Sequence, residues 1–255
     1  MKNVHLIVKF HEGGFFSNFN KVTTFLNNTT DRVVKITWDL QGQPWGAFAY
    51  SCGEVFGKLF DIYDLGERVD NDIYLHTYTD TSFTGKEVAS KYKDIEWRNK
   101  FNNTLKYFKP LPLLEKHIQE VDKIVYNKKI IGILKRNELL KCEQPDGNMP
   151  DLEIYFNQID ELIDDNTYLY LSVDNLYDVN AFISRYKKCI YNPKCRRSNT
   201  CSDQEPHFIP GNIMDALYTY LEVYSLSKCN HFIHPVSNMA TAVLYHKPTI
   251  KSIFL

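Results

Sequence analysis

The sequence predicts an α/β protein of two Rossmann-like domains facing each other across a cleft, and three observations predict it. The chain opens with a β-branched-rich strand, a glycine pair and an amphipathic helix, the first unit of a wound sheet. From Lys129 to Tyr245, short apolar runs alternate with helical patterns, as in a parallel sheet covered by helices on both faces. Between these halves lies the polar, Pro-punctuated stretch Lys109–Asn127, which sets a boundary and divides the 255 residues into 1–110 and 111–255.

VHLIVKF (Val4–Phe10) is the first strand and ends at His11-Glu12-Gly13-Gly14. The helix after it is marked by the spacing of Phe16, Phe19, Val22 and Phe25 or Leu26. Arg32–Leu40 is the second strand. The aromatic-rich segment Gln41–Tyr63 reads as a loop with a short helix around Val55–Phe60, and Asp72–Thr79 alternates like a strand. Lys86–Tyr107 has helical spacing, and a second helix begins after Pro112. The second half then runs strand Lys129–Lys135, a polar loop, helix Leu152–Ile163, strand Tyr168–Val173 and helix Tyr177–Lys187. A Cys-rich polar loop, helix Met214–Lys228, strand His231–Val236 and helix Asn238–Tyr245 complete it.

Composition excludes several classes. A formal net charge of −1 supplies no field that would favour nucleic acid or an anionic membrane. No window of about 18 apolar residues exists, so no membrane span is expected. The N-terminal MKNVHLIVKFHEGG suits a buried strand better than a signal peptide, which leads to the expectation of a cytoplasmic protein. Cys189, Cys195, Cys201 and His207 recur every six residues. That spacing is wide for a zinc knuckle, so the segment reads as a polar loop with incidental thiols, a Cys189–Cys195 or Cys195–Cys201 disulfide remaining open. Neither a P-loop nor GxGxxG follows any strand, which disfavours a kinase or a dinucleotide-dependent dehydrogenase.

In open α/β sheets, ligands bind beyond the carboxyl ends of strands. In the second half those ends carry Lys135-Arg136-Asn137, Asp174-Asn175 and Ser237-Asn238. Ser237-Asn238 opens directly into a helix, where hydroxyl, amide and backbone N–H groups meet the positive end of the helix dipole, a natural seat for phosphate. Taken alone, Ser237 is better explained by helix capping, and capping the helix at Leu176 explains Asp174 at least as well as ligand binding. Arg136 offers a planar, always-charged fork suited to phosphate; a solvated loop charge is its bland alternative.

These residues carry a family resemblance. IGILKRNEL at 131–139 resembles the IGxHxRxxD element of the fucosyltransferase superfamily that includes the α1,6- and protein-O-fucosyltransferases. YLYLSVDN is similar to its strand-plus-acid element, and GNIMDALYTYLEVYSLSKCNHFIHPVSNMATA to its closing segment. EGGFFSNFNKV resembles the glycine-rich motif that opens its acceptor domain. The resemblance implies a GT-B glycosyltransferase, inverting and metal-independent, with an acceptor-binding domain at 1–110 and a nucleotide-sugar-binding domain at 111–255. By that resemblance, Arg136 and Ser237 grip the donor β-phosphate, Asp215 is the acid associated with the base, and Asp174 is the acid after the strand. Gly14, Phe16 and Asn18 match the N-terminal motif beside Gly13, and Asn238 and Thr241 complete the donor-binding set. Leu134, Asn137 and Leu139 depart from the family's His, Arg and Asp, groups that help recognise GDP. The chain also resembles the short sugar transferases of large chlorella viruses, where xylosyl transfer from UDP-xylose onto fucose of an N-glycan is known. A viral protein would work in the host cytoplasm. UDP-xylose is accordingly the favoured donor and a glycan hydroxyl the acceptor, with GDP-fucose as the alternative; no cofactor is implied beyond the nucleotide-sugar co-substrate.

Arg136 and the Ser237–Thr241 helix start would stabilise the leaving diphosphate. An acceptor hydroxyl needs a base, for which Glu12, Asp72 and Asp39 are candidates near strand edges, Glu12 and Asp72 foremost. Two other readings compete. Asp70-Asn71-Asp72 is a D-x-D string able to hold a divalent metal. Trp45, Tyr50 and Tyr63 would suit sugar stacking in a non-catalytic carbohydrate-binding protein.

Overall fold

The computed structural model describes residues 1–9, 15–39, 52–77, 89–137, 144, 146–199 and 213–255. β1 (Asn3–Lys9) alternates strictly, sending the fully buried Val4, Leu6 and Val8 to one face. It lies between β2 (Arg32–Trp38) and β4 (Asn71–His76), both parallel to it, and the two-residue β3 (Tyr63–Asp64) adds an antiparallel edge to β2. α1 (Phe15–Asn28) follows β1, and α2 (Cys52–Leu59) precedes β3.

The helix expected over Lys86–Tyr107 is shorter. α3 (Ile95–Asn102) starts where the Asp94 carboxylate accepts from the Trp97 N–H at 3.0 Å, and a 3-10 turn covers Leu105–Tyr107. α4 (Pro112–Val125) begins with proline in its first turn, as expected.

The second sheet is all parallel. It comprises β5 (Lys129–Lys135), β6 (Thr167–Val173), β7 (Cys189–Ile190), β8 (His231–His234) and β9 (Lys251–Phe254), in the order β7-β6-β5-β8-β9. β5 is buried along all but its first residue, which fits its unbroken apolar run and its central place. α5 (Leu152–Asp160), α6 (Leu176–Arg185), α7 (Ile213–Ser227) and α8 (Asn238–His246) cover the faces. Gly132 permits one close approach: a Cβ there would stand 2.9 Å from Leu226 Cδ2 and 3.0 Å from Cys229 Sγ. The strand order reverses between β5 and β8, so the crevice at their carboxyl ends is the topological switch point.

A continuous aromatic core joins the two sheets. Phe15 stacks on Phe56 with centroids 4.6 Å apart, Phe19 meets Phe108 at 4.5 Å, and Tyr220 of α7 reaches Phe60 at 5.4 Å. α3 crosses onto the end of α8. The Arg98 guanidinium, 6% exposed, donates to the carbonyls of Pro248 at 3.0 Å, Ile250 at 3.2 Å and Tyr92, while Asn102 donates to Tyr245 O at 2.6 Å.

His234 at the end of β8 is fully buried. Its Nδ1 lies 3.0 Å from the Pro235 carbonyl, which only accepts, so the neutral ring donates from Nδ1 and accepts the Ser252 hydroxyl on Nε2 at 2.6 Å. Burial pulls its pKa down to about 4. The unfolded chain takes up this proton near pH 6.5, so the stability is complete above that value and is lost as pH falls toward 4. At about 1.4 kcal/mol per pKa unit the loss approaches roughly 3 kcal/mol. Thermal unfolding between about pH 7 and pH 4.5 is expected to show Tm falling with acid, with a shallower slope in His234→Asn.

Candidate functional site

The carboxyl ends of β5, β6 and β8 bring Arg136, Asp174 and the start of α8 together. Arg136 Nη1 lies 3.1 Å from Asp174 Oδ1 and 3.2 Å from Met239 Sδ in the first turn of α8. The second Asp174 oxygen accepts the Asn137 N–H at 2.9 Å. The two charged side chains are only 14% and 13% exposed. Arg136 Nε is buried and finds no hydrogen-bond partner among the described residues. Asp174 does not cap α6: Asn175 does, accepting from the Asp178 N–H at 2.8 Å, and this frees Asp174 to hold the guanidinium.

Ser237 caps α8, its Oγ accepting from the Ala240 N–H at 2.9 Å. The first helical bond runs from the Thr241 N–H to Ser237 O at 3.0 Å, so the N–H groups of Asn238 and Met239 stand ahead of it with no intrahelical acceptor. A guanidinium with an unfilled donor therefore sits beside the positive end of a nine-residue helix. Thr241 is 1% exposed, with its hydroxyl 3.1 Å from both Ser237 O and the Tyr92 hydroxyl. Asn238 Oδ1 and its carbonyl both accept from Asn20 Nδ2 of α1, at 3.1 and 3.0 Å.

Other expected site residues are placed elsewhere. Phe16 is a core residue at 4% exposure, against Phe15, Phe19 and Tyr220, because the α1 spacing that marks a helix also turns it inward. Asn18 is fully buried and accepts the Thr77 hydroxyl at 2.6 Å. Asp215, in the first turn of α7, pairs with Arg196 at 3.2 Å rather than with Arg136. Asp72 is the second residue of β4 and pairs with His5 at 3.0 Å, at the amino end of the sheet, five residues and about 17 Å from the carboxyl edge at Thr77. Asp70 likewise accepts the Asn3 N–H at 2.9 Å, so the D-x-D string clasps the start of β1. Asp39 stands at the carboxyl end of β2, its N–H on Val8 O at 3.0 Å. Glu12, Gly13, Gly14, Leu139, Trp45 and Tyr50 lie outside the described residues.

Lys135 is visible in sequence as a strand end, whereas Arg197 and Glu222 reach this edge only through the fold. Lys135 Nζ pairs with Asp178 at 2.9 Å, both almost fully buried. Arg197 Nη2 meets Glu222 of α7 at 2.6 Å, and Ser172 donates to the other Glu222 oxygen at 2.7 Å. Burial pushes the Glu222 carboxyl up, while Arg197 and Ser172 draw it back down. Residue 198 docks beside β6, with Ser198 N–H on Asp174 O at 3.0 Å and Leu176 N–H on Ser198 O at 2.8 Å, which carries both arginines to this edge. The adjacent pair Arg196-Arg197 was the visible signal. Among the described residues, each of these four cations is matched by an acid, so the edge carries ion pairs instead of a bare positive patch.

Cys189 and Cys195 are free thiols, and the Cys189–Cys195 bridge left open by the sequence is not formed. Burial pushes Cys189 up to about 11 and Cys195 higher still, away from reactive thiolate. Among the described residues no group of His, Cys, Asp and Glu could hold a metal ion; Cys201 and His207 fall outside them. No helix among the described residues is long and apolar enough to cross a membrane.

No protein-family model matches the chain, and no curated protein is similar to it. Solved structures do match. The NodZ α-1,6-fucosyltransferase co-crystallized with GDP superposes with a TM-score of 0.56 at 12% identity, covering 95% of this chain and 92% of that one. The same enzyme soaked with GDP-fucose gives 0.55 at 10% identity over 95% and 92%. A further structure, of the fucosyltransferase NodZ from Bradyrhizobium, gives 0.55 at 11% identity over 95% and 93%. The likeness spans nearly the whole of both chains and is one of fold: two wound sheets in the GT-B arrangement, as the strand–helix alternation predicts.

Proposed function

We propose that this chain is an inverting, metal-independent glycosyltransferase that moves a sugar from a nucleoside diphosphate sugar to a hydroxyl of a glycan. The observation that carries the reading is Arg136, whose buried Nε lacks a partner, set beside the start of α8 at the switch point of a parallel sheet. As the acceptor oxygen bonds to the anomeric carbon, the bond to the diphosphate breaks and negative charge grows on its oxygen. Arg136 and the Asn238 and Met239 N–H groups are aimed at that charge. The acceptor proton passes to a carboxylate on the opposing sheet. Glu12 after β1 and Asp39 after β2 follow carboxyl ends, as this role requires; Asp72 does not. The N-terminal part, 1–110, is assigned to the acceptor and 111–255 to the donor, in a cytoplasmic enzyme.

UDP-xylose is the proposed donor, supported by Leu134: it is fully buried within β5 and has no polar group to offer a guanine-type partner. GDP-fucose is the second reading, favoured by neighbours crystallised with GDP and GDP-fucose. Thermal unfolding with UDP, GDP and their xylose and fucose conjugates separates them. The matching nucleotide is expected to stabilise the protein by about 2.7 kcal/mol at a hundred times its Kd, undiminished by excess chelator. No response to any nucleotide overturns the transferase reading, and glycan binding without nucleotide binding makes the chain a carbohydrate-binding protein. In turnover assays, Glu12→Gln and Asp39→Asn identify the base by loss of rate.

A further inference from the structure

We infer that Asn20 is a positioning residue that fixes the diphosphate-binding start of α8 from the opposite lobe; the inference rests on the function proposed above. Asn20 belongs to α1, which follows the first strand of the N-terminal sheet, yet its side chain is spent on the C-terminal half. Its Nδ2 donates both to the Asn238 carbonyl at 3.0 Å and to Asn238 Oδ1 at 3.1 Å. The amide orientation is thereby set, because only the NH₂ end can face two acceptors. Asn20 is itself held: it is fully buried, and its carbonyl accepts the hydroxyls of Thr23 and Thr24, each at 2.8 Å.

The cost of this arrangement is visible on the other side of the amide. Asn20 Oδ1 is buried and has no hydrogen-bond partner among the described residues. A hydrophobic side chain would fill the position without an unmet acceptor, so packing alone does not account for asparagine there. What asparagine supplies is a two-point grip on Asn238. The peptide after Asn238 carries the Met239 N–H, so holding the Asn238 carbonyl sets the direction of one of the two N–H groups that precede the first helical bond. Arg136 touches Met239 in the same turn. Asn20 on α1 and Arg136 after β5 thus both contact this helical turn, one from each lobe, and the anion seat is complete only when both lobes contribute.

Calorimetric titration with UDP, GDP and inorganic pyrophosphate tests this. Asn20→Ala removes the grip; Asn20→Asp keeps size and shape but presents an acceptor where the donor was, and so reports even if the smaller side chain loosens the fold. Both are expected to weaken the ligand that wild type binds by about tenfold, the equilibrium worth of one net hydrogen bond. The donor KM rises and the acceptor KM does not. Variants that melt earlier but bind as tightly as wild type make Asn20 merely structural and overturn the inference while leaving the proposed function standing. Wild type that binds none of the three ligands brings down both.

Discussion

Arg136→Ala is expected to lower turnover by about 10²–10³-fold, the usual loss when one preorganised donor to a developing oxyanion is removed. Nucleotide stabilisation in a thermal shift should largely vanish with it. The magnitude follows from geometry: Arg98 and Arg197 also carry an unfilled Nε, but Arg136 combines it with an Nη1 held by Asp174 and a contact to Met239 in the first turn of α8. Lys135 cannot substitute, because its ammonium is buried against Asp178. Arg136→Lys should recover only part of the loss, since a compact ammonium lacks the planar fork that holds Asp174 on one edge and offers Nε on another. Melting of the unliganded variant is the control. Losing the partner of a largely buried Asp174 lowers Tm, whereas a catalytic loss at unchanged nucleotide affinity would place the diphosphate elsewhere.

Arg98→Ala is expected to cost about 4 kcal/mol of stability, a large share of the 5–15 kcal/mol typical of a folded protein, and to lower Tm by roughly 10 °C. A buried guanidinium here serves three carbonyls rather than a carboxylate. Truncation leaves those carbonyls without a donor and opens a cavity under α3, so two named penalties add. Arg98→Lys retains charge but reaches fewer acceptors and should fall between. Urea unfolding of the three proteins measures this directly, and a variant within 1 kcal/mol of wild type would show that the carbonyls find other donors.

The strands and helices of the second half were legible because their periods were clean. β5 was bounded correctly by its own apolar run, and α8 by Ser237 and the small residues after it. β7 and β9 escaped notice because two and four residues next to polar loops give no period to detect; they exist through pairing with β6 and β8. At the site, sequence placed Arg136, Asp174 and Ser237 on neighbouring strand ends, and the fold brought them together. It could not say that Asp174 would take Arg136 and leave the cap to Asn175, since both residues can cap and only tertiary pairing chooses. The end of the sheet on which Asp72 lies was not legible, because the two ends of a strand look alike in sequence. Only the parallel register with β1 puts it at the amino end.

The reach of α3 across to the last helix constrains how parts of this fold can be exchanged. Tyr92, Arg98 and Asn102 precede the Pro-punctuated stretch in the chain, but their hydrogen bonds end on Ser237, Tyr245, Pro248 and Ile250. A chimera that took its C-terminal half from residue 111 onward would leave those carbonyls to a foreign helix and would lose the hydroxyl that receives the Ser237 N–H. A recombinant C-terminal half therefore needs the segment from Tyr92 as part of its own structure, with the crossover made upstream of it. Modularity in this molecule follows the hydrogen bonds and not the prolines.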